Sequence, residues 1–250
     1  MSCMNDGPEL IKGSSHTCAG GRMCGGIAPP DSEQPANLMR SESCCSDYDR
    51  LACFNGGGVW DDSTCGCYSP IMIDTTGNGF DLTNAVNGVL FDMTNDGIKE
   101  RLSWTAANSD DAFLVLDRNQ NGVIDNGREL FGSSTVQPVL QEGETKHGFR
   151  ALAIYDEPER GGNNDNKIDS NDAVFSNLKL WRDSNHNGES EANELQKLSE
   201  SDVKVIELDY HESRRRDEHG NWFRYRAKVN DARKAKVGHW AWDVFLQVAK

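Results

Sequence analysis

Between Asp74 and Glu194, oxygen-bearing side chains recur at alternate positions ahead of a glycine or asparagine turn. Calcium is a hard cation that takes six to eight oxygens from carboxylates, amides, backbone carbonyls and water. A chain wraps it most compactly with oxygens at loop positions 1, 3 and 5, a turn at 6, a backbone carbonyl at 7 and a carboxylate at 12. The stretch Asp183, Asn185, Asn187, Gly188, Glu189, Glu191 and Glu194 meets each of these positions, with Ser190 at position 8, where an aliphatic residue is usual. A second stretch, Asp117, Asn119, Asn121, Gly122, Val123 and Asp125, follows the pattern through position 9. Its closing acid, Glu129, comes one place late, after Arg128.

The third stretch is less regular. Asn163, Asp165, Lys167, Asp169 and Asp172 fit positions 3, 5, 7, 9 and 12, with Asn166 at the turn and Gly161 at position 1. Asp156 can serve as the first ligand if residues 157–161 bulge out as an insertion, and the loop would then pair face to face with the Asp183 loop. Two shorter stretches, Asp74, Thr76, Asn78 and Asp92, Thr94, Asp96, keep only the first half of the pattern. Their closing ligands must come from elsewhere, with Asp81, Glu100, Asp110 and Asp111 as candidates. The competing reading of every stretch is a solvated turn stabilised by Asn and Asp side chains without a metal.

The elements that must hold these loops are short. Val89–Phe91 and 112–116 read as buried strands, and Gly148–Tyr155, Ser170–Trp181 and Ala192–Leu198 as helices. At the end, 203–210, 222–229 and 239–246 alternate as strands, with Phe223, Tyr225, Ala227 and Val229 on one face of the middle one. The expected class is therefore α+β, with helix–loop–helix (EF-hand-like) calcium loops and a β-rich end at 203–248.

Composition supports a loop-rich, acidic protein. The 250 residues are 36% apolar and carry a net charge of −14. The excess acid is concentrated in the middle: residues 69–202 hold twenty-four acids against eleven bases, and residues 203–250 hold seven against eleven. All eight cysteines fall between Cys3 and Cys67, so residues 1–68 are expected to form a disulfide-stapled module of an oxidising compartment, preferred over a zinc site because paired short Cys spacings are absent. No apolar run is long enough to cross a membrane, and no secretory signal is visible at Met1–Ile11.

The motifs Pro70–Asp74, Leu114–Asp117 with Glu129–Gly132, and Leu180–Asp183 with Asn193–Leu195 resemble the calcium-dependent self-processing module of Frp-type RTX proteins over roughly residues 69–210. That resemblance implies a module folded by calcium and exported by Gram-negative bacteria. In that family an Asp-Pro bond at the start of the module breaks when the Asp side chain attacks its own peptide carbonyl. Here the bond is Ser69-Pro70, and none of the seven prolines follows Asp, so that cleavage is not expected.

The expected function is calcium binding by a non-catalytic module of a secreted or cell-surface protein. A hydrolytic or self-processing enzyme using Asp110 and Asp111 with His147 or His211 is the first alternative, although no nucleophile elbow, zinc-protease motif or phosphate loop is present. The second is recognition of a protein or cell-surface polymer by the basic end, where Arg214–Arg216, Arg224, Arg226, Arg233, Lys234 and Lys236 interleave with Trp222, Phe223 and Tyr225. Overall acidity opposes nucleic acid as the partner.

Overall fold

The computed structural model describes residues 66–139, 144–231 and 239–249. Before them it describes Cys53 and two short antiparallel pairings, β1 (His16–Thr17) with β2 (Met23–Cys24) and β3 (Trp60–Asp61) with β4 (Gly66–Cys67). The disulfide framework expected for 1–68 and the basic residues Arg233, Lys234 and Lys236 lie outside the described residues.

The body is an antiparallel sheet built from β5 (Ile71–Asp74), β8 (Asp111–Val115), β9 (Lys167–Ile168), β10 (Lys179–Trp181), β11 (Leu195–Lys197), β12 (Val203–Glu207), β13 (His211–Arg216), β14 (Trp222–Asp231) and β15 (His239–Phe245). The spatial order is β11-β10-β8-β5-β15-β14-β12-β9, with β13 beside the first half of β14, and the sheet curls into a half-barrel. A separate hairpin joins β6 (Val89–Phe91) to β7 (Glu100–Leu102).

Strand alternation sends apolar side chains to both faces of this sheet. Ile71 and Ile73 of β5, with Ala112 and Leu114 of β8, belong to one core. Met72, Phe113 and Val115 from the same strands belong to the other. The single α-helix among the described residues, α1 (Gly148–Ala153), covers the first core with Phe149, Ala151 and Leu152. The β6–β7 hairpin covers the second with Val89, Phe91 and Leu102. Central strands buried on both faces explain why they read as continuous apolar runs.

The α+β expectation is thus corrected: the fold is mainly β, and the loops are not flanked by EF-hand helices. Residues 170–181 hold only a 3₁₀ turn at Ala173–Ser176 and then enter strand β10. Residues 192–198 enter strand β11. The apolar spacing of Ala173, Val174, Leu178 and Trp181 fits a helix, but Leu180 and Trp181 are buried on opposite faces of the sheet, and a helix presents one apolar face only. The Asp183 loop consequently connects two paired strands, β10 and β11. In β14 a bulge near Arg224 breaks the alternation, so Phe223 enters one core while Tyr225, Ala227 and Val229 enter the other.

Candidate metal centre

All five acidic loops have one backbone shape. Positions 4 and 6 are left-handed in each: Gly77 and Gly79, Asn95 and Gly97, Gln120 and Gly122, Asn164 and Asn166, His186 and Gly188. This conformation is cheap only for Gly and tolerable for Asn, which fill all of these places but the two held by Gln120 and His186. The two left-handed steps turn successive N–H groups towards the first acid. Asp183 accepts Asn187 N–H at 3.0 Å and Gly188 N–H at 2.8 Å. Asp92 accepts Asp96 N–H at 3.1 Å and Gly97 N–H at 3.0 Å. Asp117 accepts Gly122 N–H at 3.0 Å, and Asp74 accepts Gly79 N–H at 2.7 Å.

In the third loop Asp156 does this work, accepting Asp165 N–H at 3.1 Å and Asn166 N–H at 2.8 Å. The intervening residues bulge out through a 3₁₀ turn at Pro158–Arg160. The bulge closes at Gly162, where an added Cβ would lie 2.2 Å from the Asp156 carbonyl.

A second carboxylate then closes each loop by accepting an N–H near its start or its position 9. Glu194 accepts Ser184 N–H at 2.8 Å. Glu129, despite its late place, accepts Arg118 N–H and Asp125 N–H at 3.0 Å each. Asp172 accepts Asp169 N–H at 2.8 Å. Glu100 accepts Met93 N–H at 3.0 Å and the Thr94 hydroxyl at 3.2 Å. Asp110 accepts Thr76 N–H at 3.0 Å and the Asn78 amide at 3.0 Å. Asp74, Asp110 and Asp111 bring carboxylate oxygens within 4.8 Å of one another. Asp81 contributes only its backbone N–H, to Asp111.

The middle positions behave as local turn groups on the surface. Asn119, Asn121, Asn163, Asn185 and Asn187 each accept the N–H two residues ahead. The amides of Asn185 and Asn187 converge on the Glu191 carboxylate, at 3.0 and 2.9 Å, and that of Asn121 lies 2.8 Å from Asp125. Glu189 turns its side chain out towards Lys99, leaving only its carbonyl for a position-7 role. Val123 and Lys167 likewise have no side-chain oxygen to offer.

The loops therefore combine buried first and closing acids, such as Asp74, Asp156, Asp172, Asp183, Glu129 and Glu194, with exposed rims. Four of them hold a buried carboxylate oxygen with no hydrogen-bond donor: Oδ1 of Asp117, of Asp172 and of Asp111, and Oε2 of Glu191 in the Asp183 loop. Leaving such an oxygen unpaired is costly, and a cation in the loop would satisfy it. Burial pushes Asp111 up to about 7, with Asp110 and Asp74 adding repulsion against its hydrogen bonds. Burial also raises Glu129, Asp172 and Glu100. At Asp110 burial acts upward too, but donors from Thr76 and Asn78 outweigh it and lower the pKa. The donor set is all oxygen, the chemistry of a hard cation.

Several supporting groups escaped the sequence reading. The Trp104 indole N–H donates to Asp183 at 2.8 Å and the Trp181 indole to Glu194 at 3.3 Å. Both rings pack with Phe91 and Phe113 in one aromatic cluster. The core thus grips the first and last acids of one loop. The expected pairing of the Asp156 and Asp183 loops is corrected. Position 8 of the third loop, Ile168, pairs with Ile206 of β12. Position 8 of the Asp183 loop, Ser190, instead meets position 8 of the Asp117 loop, accepting Ile124 N–H at 2.6 Å. The Asp117 loop in turn bridges to the Asp92 loop, through Asp92 and Asn126.

The chain is 39% identical to the "Iron-regulated protein FrpA" of Neisseria meningitidis serogroup C over 176 residues, covering 68% of this chain and 15% of that protein. The chain thus spans a small part of the length of that relative. The SPM domain model matches residues 71–247, a span that contains all five loops and the whole sheet, and the chain belongs to the SPM-domain family.

Proposed function

We propose that this chain is a non-catalytic calcium-binding module of an exported bacterial protein, stabilised in its folded form by several calcium ions. The carrying observation is the repeated loop with a buried, donorless carboxylate oxygen at Asp117, Asp172, Asp111 and Glu191. The similarity to FrpA supports placing it in an exported protein of the RTX type. Asp117, Asn119, Asn121, the Val123 carbonyl, Asp125 and Glu129 would hold one ion. Asp183, Asn185, Asn187, the Glu189 carbonyl, Glu191 and Glu194 would hold another. Asp156 with Asp172, Asp92 with Glu100, and Asp74 with Asp110 and Asp111 supply the remaining candidates. Extracellular modules bind calcium at about 10⁻⁴–10⁻³ M, so such sites would fill outside the cell.

The hydrolytic alternative loses its components to this reading. Asp110 and Asp111 face the Asp74 loop, and burial, with Arg150 and Arg224 nearby, pushes His147 down to about 3. The test is calorimetric titration and thermal unfolding of the full chain in chelator, calcium and magnesium, with intact-mass measurement after calcium addition. Several calcium ions bound, a steep rise in Tm and an unchanged mass are expected. An identical Tm with and without calcium would remove the calcium reading, and a new mass would remove the non-catalytic one.

A further inference from the structure

Two arginines on one face of the sheet have no acidic partner among the described residues. The guanidinium of Arg215 on β13 lies 4.5 Å from the Phe223 ring centre and 5.4 Å from that of Trp242. The guanidinium of Arg226 on β14 lies 4.4 Å from Trp240 and 5.4 Å from the same Trp242. Two like charges are thus gathered over one indole, and Nε of Arg226 is buried without an acceptor. Their neighbour Arg224 is different: it faces the other core, stacks on Trp222 and pairs with Glu212 at 3.4 Å. In a chain of net charge −14, carboxylates could have compensated Arg215 and Arg226 as one compensates Arg224.

We propose that the face formed by β13, β14 and β15 binds an acidic polysaccharide, whose sulfate or carboxylate groups pair with the outward edges of Arg215 and Arg226. Guanidinium N–H edges are suited to planar or tetrahedral oxyanions, and stacking on the rings fixes those edges before binding. The Phe223 and Trp242 rings beneath are buried in the second core. Arg215 is exposed and Arg226 half-buried at its rim, so their outward edges suit an extended polymer passing over the surface rather than an enclosed small anion. Ring faces already covered by guanidinium groups are not free to stack nucleic-acid bases, the usual basis of single-strand binding. A membrane surface would call for exposed apolar side chains beside the cations. Among the described residues, the exposed large apolar ones, Val86, Leu90, Ile98, Val123, Val136 and Val139, all lie on other segments. The acidic loops of a second copy are poor occupants, since their carboxylates already accept N–H groups of their own loops.

The full chain in saturating calcium would be titrated with heparin, with uncharged dextran, with single-stranded DNA and with phosphatidylglycerol vesicles. Heparin binding that weakens with salt is expected, with no dextran binding and weaker binding of DNA and vesicles. Arg215→Gln and Arg226→Gln are each expected to weaken heparin binding by about tenfold, while Arg224→Gln on the opposite face leaves it within about twofold. Melting curves of each variant separate lost binding from lost folding. Equal binding of DNA or vesicles, heparin binding unchanged in a folded double variant, or no heparin binding at 0.15 M salt would each overturn the proposal.

Discussion

The Asp183 and Asp74 loops share their turn and differ in how they are closed. In the first, Glu194 reaches back ten residues to Ser184, and β10 and β11 pair directly at the loop's base. In the second, Asp110 crosses 34 residues to reach Thr76, and the site exists only once β5 and β8 have paired at Asp74 and Asp111. The Asp183 loop is closed by its own residues and its two flanking strands. The Asp74 loop depends on the sheet, and it gathers three carboxylates that repel one another.

The largest expected effect separates the two loops by their acids. Glu194→Gln is expected to remove one calcium ion and lower stability in saturating calcium by about 3 kcal/mol, the linkage contribution of a site filled at roughly a hundred times its Kd. Asp111→Asn is also expected to lose an ion, but in chelator it should make the protein more stable, because a buried, repelled carboxylate is gone. Denaturant melts in calcium and in chelator check both; destabilisation by Asp111→Asn in chelator would break the contrast.

The pH dependence follows, at about 2 kcal/mol once solvent access to Asp111 is allowed for. Burial places Asp111 and Asp243 at about 7 in the folded protein, above the ordinary aspartate value of about 4. The folded state therefore holds these protons more tightly. Their stabilisation is complete below about pH 4, and falls away as pH rises towards 7. Calcium should abolish this slope at Asp111, whose charge the ion would balance, and leave it at Asp243, which sits beside Gly148 and away from the loops. Asp111→Asn should therefore flatten the curve in chelator only, and Asp243→Asn in both conditions.

The glycines at position 6 give a smaller contrast. Gly79 has φ +105° with nothing near a prospective Cβ, while Gly188 has φ +73° and its Cβ would meet Leu90 O and Val89 Cγ2 at 2.9 Å. Gly79→Ala should cost about 1 kcal/mol for conformation alone. Gly188→Ala should cost about 2 kcal/mol, because the β6–β7 hairpin must also move. Equal losses in thermal unfolding would show that the hairpin yields freely.

The loops were legible because their chemistry is local: spacing of Asp, Asn and Gly sets which oxygens and N–H groups meet. Even the Asp156 insertion could be read, since Asn163, Asp165 and Asp172 kept their places around it. The elements between the loops were misread because Ala173, Val174, Leu178 and Trp181 satisfy a helical period, and only the two-faced burial of Leu180 and Trp181 decides for a strand. Non-local partners left no mark in the spacing. Trp104 lies 79 residues from Asp183, and nothing between them announces the indole that holds that carboxylate.

Ser190 carries the smallest effect and the sharpest test of how loops communicate. As a polar residue at position 8 it looked like a departure from the pattern, yet its hydroxyl accepts Ile124 N–H and lies 3.3 Å from Ile124 O. It replaces, with one side chain, the backbone pairing that two aliphatic position-8 residues would make. Ser190→Ala removes an acceptor from a buried N–H, which costs about 1 kcal/mol or somewhat more. If the contact transmits order from the Asp183 loop to the Asp117 loop, the variant should keep both ions while their binding becomes independent, with a coupling loss of about 1 kcal/mol. Titration of Glu194→Gln in both backgrounds reads this directly: the ion at Asp117 should weaken when Ser190 is present and be indifferent when it is absent. Equal weakening in both backgrounds would place the coupling in the shared β6–β7 hairpin instead.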